Sequence, residues 1–177
     1  MIKKWMMMST FALFAQLGHA YECKTASIQE TTNPAHFLDN RDGTVTDLRF
    51  GIMWSVCTFG QVYSVTEQTC KGDAKAANDW AEAMATQDEI NAQKLGGHTD
   101  WRLPSIKELQ SIVERQCRQP SIKLSIFKGT INSRYWSNTP DDLVNPEMKG
   151  RIIDFSDGVE FARPTSTTNY VRHVRKI

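Results

Sequence analysis

Apolar and polar positions alternate in two distinct periods along this chain. Ile52, Trp54 and Val56 are interleaved with Met53, Ser55 and Cys57, the period-two pattern of a half-buried strand. Upstream, Asn40 to Gly43 has turn composition, and Thr44, Val45 and Thr46 are β-prone. From about Ala74 to Leu95 the period changes. Ala77, Trp80, Ala81 and Met84 fall at i, i+3, i+4 and i+7, which predicts an amphipathic helix ended by Gly96 and Gly97. A second helix comes after Pro104. Ser105 is placed to cap it with Glu108 three residues on, and Ile106, Leu109, Ile112 and Val113 form its apolar stripe.

The remaining pattern is short and strand-like. Tyr135, Trp136 and Ser137 form a candidate strand. Asp157-Gly158 predicts a tight hairpin between Ile153/Phe155 and Val159/Phe161. The closing run NYVRHVRKI has strand-like β-branched content, although Val171, Val174 and Ile177 also fit a helical spacing. Two helices packed on short antiparallel strands with long loops make an α+β domain.

Between the two helices lies Asp100-Trp101-Arg102-Leu103-Pro104. Pro104 cannot continue a strand ladder and biases Leu103 away from helix. Trp101 and Leu103 are expected to face the core, while Asp100 and Arg102 flank the indole and bond loop backbone or each other. The segment therefore reads as a corner of the scaffold rather than a catalytic cluster.

Residues 1–20 read as a secretory signal, with Lys3 and Lys4 at its start, an apolar run from Trp5 to Leu17, and small residues near Ala20. The run is too short and too interrupted for a stable membrane span. The chain after Ala20 is long enough for one compact domain, divided into a tail at residues 21–36 and a domain at residues 37–177. The four cysteines, Cys23, Cys57, Cys70 and Cys117, are even in number behind an export signal, which points to two disulfides. Three pairings are open. Cys57 and Cys70 bracket a short stretch of polar and turn-forming residues, a plausible local loop, and that choice leaves Cys23 to tie the tail to Cys117.

Charge and chemistry then narrow the function. Loss of Lys3 and Lys4 with the leader lowers the formal net charge of +1 by two, a balance that argues against a nucleic-acid partner. Residues 21–70 carry 3 basic and 6 acidic groups, whereas residues 121–177 carry 9 basic and 6 acidic, so the C-terminal third could present a basic face. The cysteine spacings lack a close pair for zinc. Asp39 to Gly43 places Arg41 at a ligand position of a calcium loop, so a hairpin turn accounts for it better. His36, His98 and His173 are widely spaced, and only His98 has an acid close by, at Asp100. No Gly-x-Ser-x-Gly word, phosphate-cradling loop or free thiol is expected. Neither a metal nor a cofactor is expected, and the chain does not read as an enzyme.

The order DNRDGTVTD, GIMW, a cysteine-bounded loop, DWRLPSIKEL, VERQC, YWSN and YVRHVR resembles the Lcl C-terminal domain family over roughly residues 37–175. The resemblance implies a C-type-lectin-like fold related to formylglycine-generating and sulfatase-modifying domains. It also implies an exported protein and, for some members, adhesion through sulfated glycans. Formylglycine-generating enzymes use a late cysteine pair, and no cysteine lies beyond Cys117 here. The expectation is an exported, non-catalytic binding module in the periplasm, at the cell surface or secreted, recognising a polyanionic or sulfated glycan. The candidate contacts are Arg134, Tyr135, Trp136, Lys149, Arg151, Arg163, Arg172 and Lys176, since rings stack on sugars and guanidinium groups fork onto sulfate. A structural or accessory subunit bound to an envelope protein is the alternative.

Overall fold

A computed structural model describes residues 20–141 and 148–177; the proposed leader therefore lies almost wholly outside the described residues. Strands β1 (Glu22–Cys23), β2 (Phe37–Asp39), β3 (Thr44–Asp47), β4 (Ile52–Ser55), β5 (Val62–Ser64), β6 (Thr69–Lys71) and β7 (Ala76–Ala77) precede helices α1 (Trp80–Gln93) and α2 (Ile106–Ser111). Strands β8 (Cys117–Arg118), β9 (Arg134–Pro140), β10 (Lys149–Asp154), β11 (Val159–Pro164), β12 (Asn169–Tyr170) and β13 (Val174–Lys176) complete the order. The chain is thus mixed α+β, mostly sheet, with two α-helices among the described residues.

Two sheets carry the architecture. One has the order β11-β10-β9-β12-β7 and the other β13-β4-β3-β2. The expectation of antiparallel strands holds except at one place: β12 runs parallel to β9, with Tyr170 opposite Tyr135. The closing run is indeed extended, but it divides. Asn169–Tyr170 belongs to the first sheet and Val174–Lys176 to the second, so Val171, Arg172 and His173 bridge the two through the interior.

Side-chain alternation explains why the first sheet is buried on both faces. Neighbouring strand residues point to opposite sides. Tyr135 and Ile153 pack with Leu109, Ile112, Phe127 and Phe155 on one face. Trp136 and Ile152 pack with Ala83, Leu103 and Val171 on the other. Helix α2 thus covers the Tyr135 face and α1 the Trp136 face.

The helices start where side chains cap them. Asp79 accepts from the Glu82 amide at 2.7 Å, so α1 begins at Trp80 rather than near Ala74. Ala77 instead pairs with Asn169 in β7. The buried stripe of α1 is consequently Ala83, Thr86 and Ile90, and Ala81 is exposed. Ahead of α2, the capping box between Ser105 and Glu108 forms as the sequence predicts.

Both disulfides are present, Cys57–Cys70 and Cys23–Cys117, and they join pairs 13 and 94 positions apart. The second ties β1 to β8. Glu114 strengthens that tie: its buried carboxylate accepts from the amides of Thr31 at 3.2 Å, Thr32 at 2.9 Å and Gln116 at 2.9 Å. Burial alone would raise its pKa, yet these donors outweigh burial and hold the carboxyl below the ordinary glutamate range.

Candidate functional site

The predicted basic contacts do not form a continuous ridge. Tyr135, Trp136 and Arg172 are fully buried and are withdrawn from any surface. The rings fill the two faces of the central sheet. Arg172 lies under the bridge between sheets, donating to the carbonyls of Ser55 and Val56 and to the Thr130 hydroxyl, with its guanidinium 5.3 Å from the Phe127 ring centre. Burial pushes its pKa down to about 10. Of the rest, Arg134 pairs with Asp154 at 3.1 Å, and Arg151 pairs with both Asp141 and Glu160. Arg163 sits opposite Gly150 and Arg151 opposite Ala162, so these two guanidinium groups leave the sheet on opposite faces. Lys176 is on the other sheet, and Lys149 is half-buried.

The Asp100–Pro104 corner bonds within the protein, and of the expected bonds the one to loop backbone forms, with the Arg102 guanidinium donating to the Leu103 carbonyl at 3.0 Å. Asp100 and Arg102 do not bond each other. Asp100 receives the Arg175 fork at 2.7 and 3.2 Å, and this bond holds its carboxyl below the usual range. Arg102 forks onto Glu108 at 2.9 and 2.7 Å. The Trp101 amide donates to Asn91 Oδ1 and its indole N–H to the Leu95 carbonyl. Arg102 also exchanges both backbone bonds with Val174, which stitches the corner to β13. Arg175 rather than His98 therefore partners Asp100.

His173 is buried and serves packing. The Thr86 hydroxyl donates to the Ala83 carbonyl at 2.6 Å, so the 2.8 Å contact to His173 requires the proton on Nε2. Phe59 packs edge-on against the ring at 5.5 Å. Burial and the nearby Arg172 charge push the imidazole pKa down to about 3. A group so placed stays neutral through the physiological range.

The feature that sequence reading missed is a groove of about 370 Å³ between the C-terminal half of α1 and the loop from Cys57 to Tyr63. Its walls include Phe59, Gln61, Tyr63, Ile90 and Leu95, with Asp42 on the rim. Gly43, at φ +91°, makes this wall possible, because a Cβ there would lie 2.8 Å from Tyr63 Cβ. Gly60, also at φ +91°, presses the loop against Lys75 in the same way. The Cys57–Cys70 disulfide then holds the loop onto the β5–β6 ribbon. A cysteine-bounded segment holding an amide, an aromatic and a glycine was the available signal, but its partner residues on α1 lie some 30 positions away in the sequence.

A hydrogen-bond chain fixes the floor beside the groove. The Ile131 amide donates to the Tyr135 hydroxyl at 2.8 Å, and that hydroxyl meets Thr58 Oγ1 at 2.6 Å. Thr58 in turn donates to the Gly129 carbonyl at 3.0 Å. By contrast, the Tyr63 hydroxyl is shielded from solvent and has no partner among the described residues.

The model of the Lcl C-terminal domain matches residues 43–175, so the chain belongs to the Lcl C-terminal domain family. A search of curated proteins found no match.

Proposed function

We propose that this chain is an exported, non-catalytic binding module of adhesin type with a C-type-lectin-like fold, whose target is a glycan. The two disulfides fit export, and no helix among the described residues is long and apolar enough to cross a membrane. The observation that carries the reading is the groove between α1 and the Cys57–Tyr63 loop. It is preformed, stapled by a disulfide and lined by rings beside amides, the makeup of small-ligand sites. The opposed faces of Arg151 and Arg163 support a groove as the contact, in place of a basic ridge.

Purified exported protein applied to an array of neutral and acidic glycans, at low and at moderate salt, tests this. Binding that survives the higher salt is the expected result. Absence of binding to every glycan overturns the reading.

One observation favours a second reading, an accessory subunit of an envelope assembly. Strand β11 is the outer edge of the five-stranded sheet and exposes Val159 and Phe161. A stoichiometric protein partner captured from envelope extracts, without any glycan bound, would select it.

A further inference from the structure

We propose that the groove between α1 and the Cys57–Tyr63 loop takes an amino sugar whose unsubstituted ammonium group pairs with the Asp42 carboxylate. The proposal rests on the glycan-binding reading above and names the class of sugar.

Charge decides the class. Among the described residues that line the groove, Asp42 alone is ionised. Two cations beside its walls are already matched by acids. Lys128, 5.8 Å from the Tyr63 ring centre, lies 3.8 Å from Asp39, and Lys75, against which Gly60 is pressed, lies 3.9 Å from Glu89. Asp42 itself takes part in no ion pair among the described residues. The groove therefore carries a net negative charge, which repels an acidic sugar and attracts a cationic one.

The acceptors suit an ammonium. Asp42 Oδ1 accepts from the Thr44 amide at 2.9 Å and the Thr44 hydroxyl at 2.6 Å, which fixes the carboxylate, while Oδ2 accepts no hydrogen bond among the described residues. An ammonium only donates, so it needs free acceptors. Gln93 in the same lining supplies another. Its NH₂ donates to Glu89 Oε1 at 3.3 Å, which leaves the amide oxygen open. Gln61 is set the opposite way: its Oε1 accepts from the Thr58 amide at 3.2 Å, which leaves its NH₂ to donate to a sugar hydroxyl.

The rest of the lining selects a ring over a bare ion. A single carboxylate falls far short of the oxygen shell that a hard metal cation needs. Phe59, Ile90, Leu95 and the ring of Tyr63 supply apolar wall for the C–H face of a sugar, and aromatic faces also favour a neighbouring ammonium. Tyr63 contributes through its ring alone, since its hydroxyl is shielded from solvent. The volume of about 370 Å³ falls near the lower end of ligand pockets, roughly 300–1,000 Å³, and so matches a small glycan end rather than a long chain.

The test is an NMR titration of the exported protein with methyl glucosaminide, its N-acetylated counterpart, methyl glucuronide and n-butylammonium. The first two probes differ only at the nitrogen. The amino sugar should bind about fivefold tighter than the N-acetyl sugar at low salt, the contribution of one partly exposed ion pair. Butylammonium should bind more weakly than the amino sugar, and the glucuronide should not bind. The preference for the amine should fade as pH rises through the titration of that amine, and moderate salt should shrink it without abolishing binding, because the apolar wall is not screened. Asp42→Ser keeps an oxygen to accept from the Thr44 amide and removes the charge. It should erase the preference while the spectrum of the folded protein persists. Asp39→Asn removes a charge of the same sign outside the lining and should leave the preference standing. Equal affinity for the amino and N-acetyl sugars overturns the proposal, as does a preference that Asp42→Ser leaves unchanged. An equal loss in Asp39→Asn also overturns it, because the effect would then belong to the general surface field. Butylammonium binding as tight as that of the amino sugar overturns the assignment to a sugar. Binding of the glucuronide alone overturns the proposal while leaving the glycan-binding module standing. No binding of any glycan removes both.

Discussion

The corner around Asp100–Glu108 and the groove around Gln61–Tyr63 are built from similar residues, an aromatic among polar and charged neighbours and a glycine close by. They differ in where their hydrogen bonds end. In the corner, the Trp101 amide, the indole N–H, the Arg102 fork, the Ser105 amide and the Asp100 carboxylate all find partners inside the protein. Behind the groove wall, the Tyr63 hydroxyl is buried and has no partner among the described residues. A polar cluster that satisfies itself has no remaining capacity for a ligand, while an interior hydroxyl left unmatched is a cost carried by the fold rather than a contact offered to solvent. Residue type alone cannot separate these cases.

The largest effect should come from the corner. Trp101 is 1% exposed and its indole is hydrogen-bonded, so Trp101→Ala is expected to destabilise by about 3–5 kcal/mol, read from the midpoint of urea unfolding. A small shift would mean that the corner is not the joint that holds α1 to β13. Next comes the groove's own staple. Cys57→Ser with Cys70→Ser opens a closure spanning 13 positions. It should cost about 2–3 kcal/mol by the loop-entropy argument. Ligand binding should fall further than stability, because the loop carrying Gln61 and Tyr63 loses its anchor.

A third, smaller effect separates the two regions by pH. Burial pushes the Glu108 carboxyl up, but the Arg102 fork and the Ser105 amide and hydroxyl outweigh it and hold its pKa below the ordinary value. A carboxylate with a lowered folded pKa contributes stability that is fully present above its unfolded value. That contribution is lost as pH falls through the folded value. Wild-type stability should therefore drop on acidification below the ordinary glutamate range, and Glu108→Gln should flatten that limb. At neutral pH the variant should cost about 1 kcal/mol, the worth of a helix cap and a charge-assisted bond at a partly exposed site. An unchanged acid limb would mean that Glu108 is not what holds the corner together.

Much of this fold was legible because local rules agreed with tertiary ones. Ser105 and Glu108 announce their helix and Asp157-Gly158 their hairpin through bonds between near neighbours, and the alternation of Ile52, Trp54 and Val56 announces a buried strand. The misreadings came from long-range partners. Ala77 was claimed by Asn169, which turned a predicted helical turn into strand. Arg172 looked like a surface cation until the crossing between sheets enclosed it. The groove was invisible because its walls come from the Asp42–Gly43 turn, the Cys57–Tyr63 loop and the end of α1, which only the fold brings together.

The smallest effects should come from the C-terminal cations, and they sharpen the contrast most directly. Lys176 is exposed on β13, and Arg163 stacks beside Phe161 at 5.9 Å on the edge strand β11. Neither takes part in an ion pair among the described residues. Lys176→Gln and Arg163→Gln should each change stability by less than about 0.5 kcal/mol, as expected for surface sites away from caps and cores. If the groove is the contact, both variants should also bind glycan as the parent does, with no change in salt dependence. If binding weakens in both and its salt slope falls, the contact is made by scattered cations across two sheets.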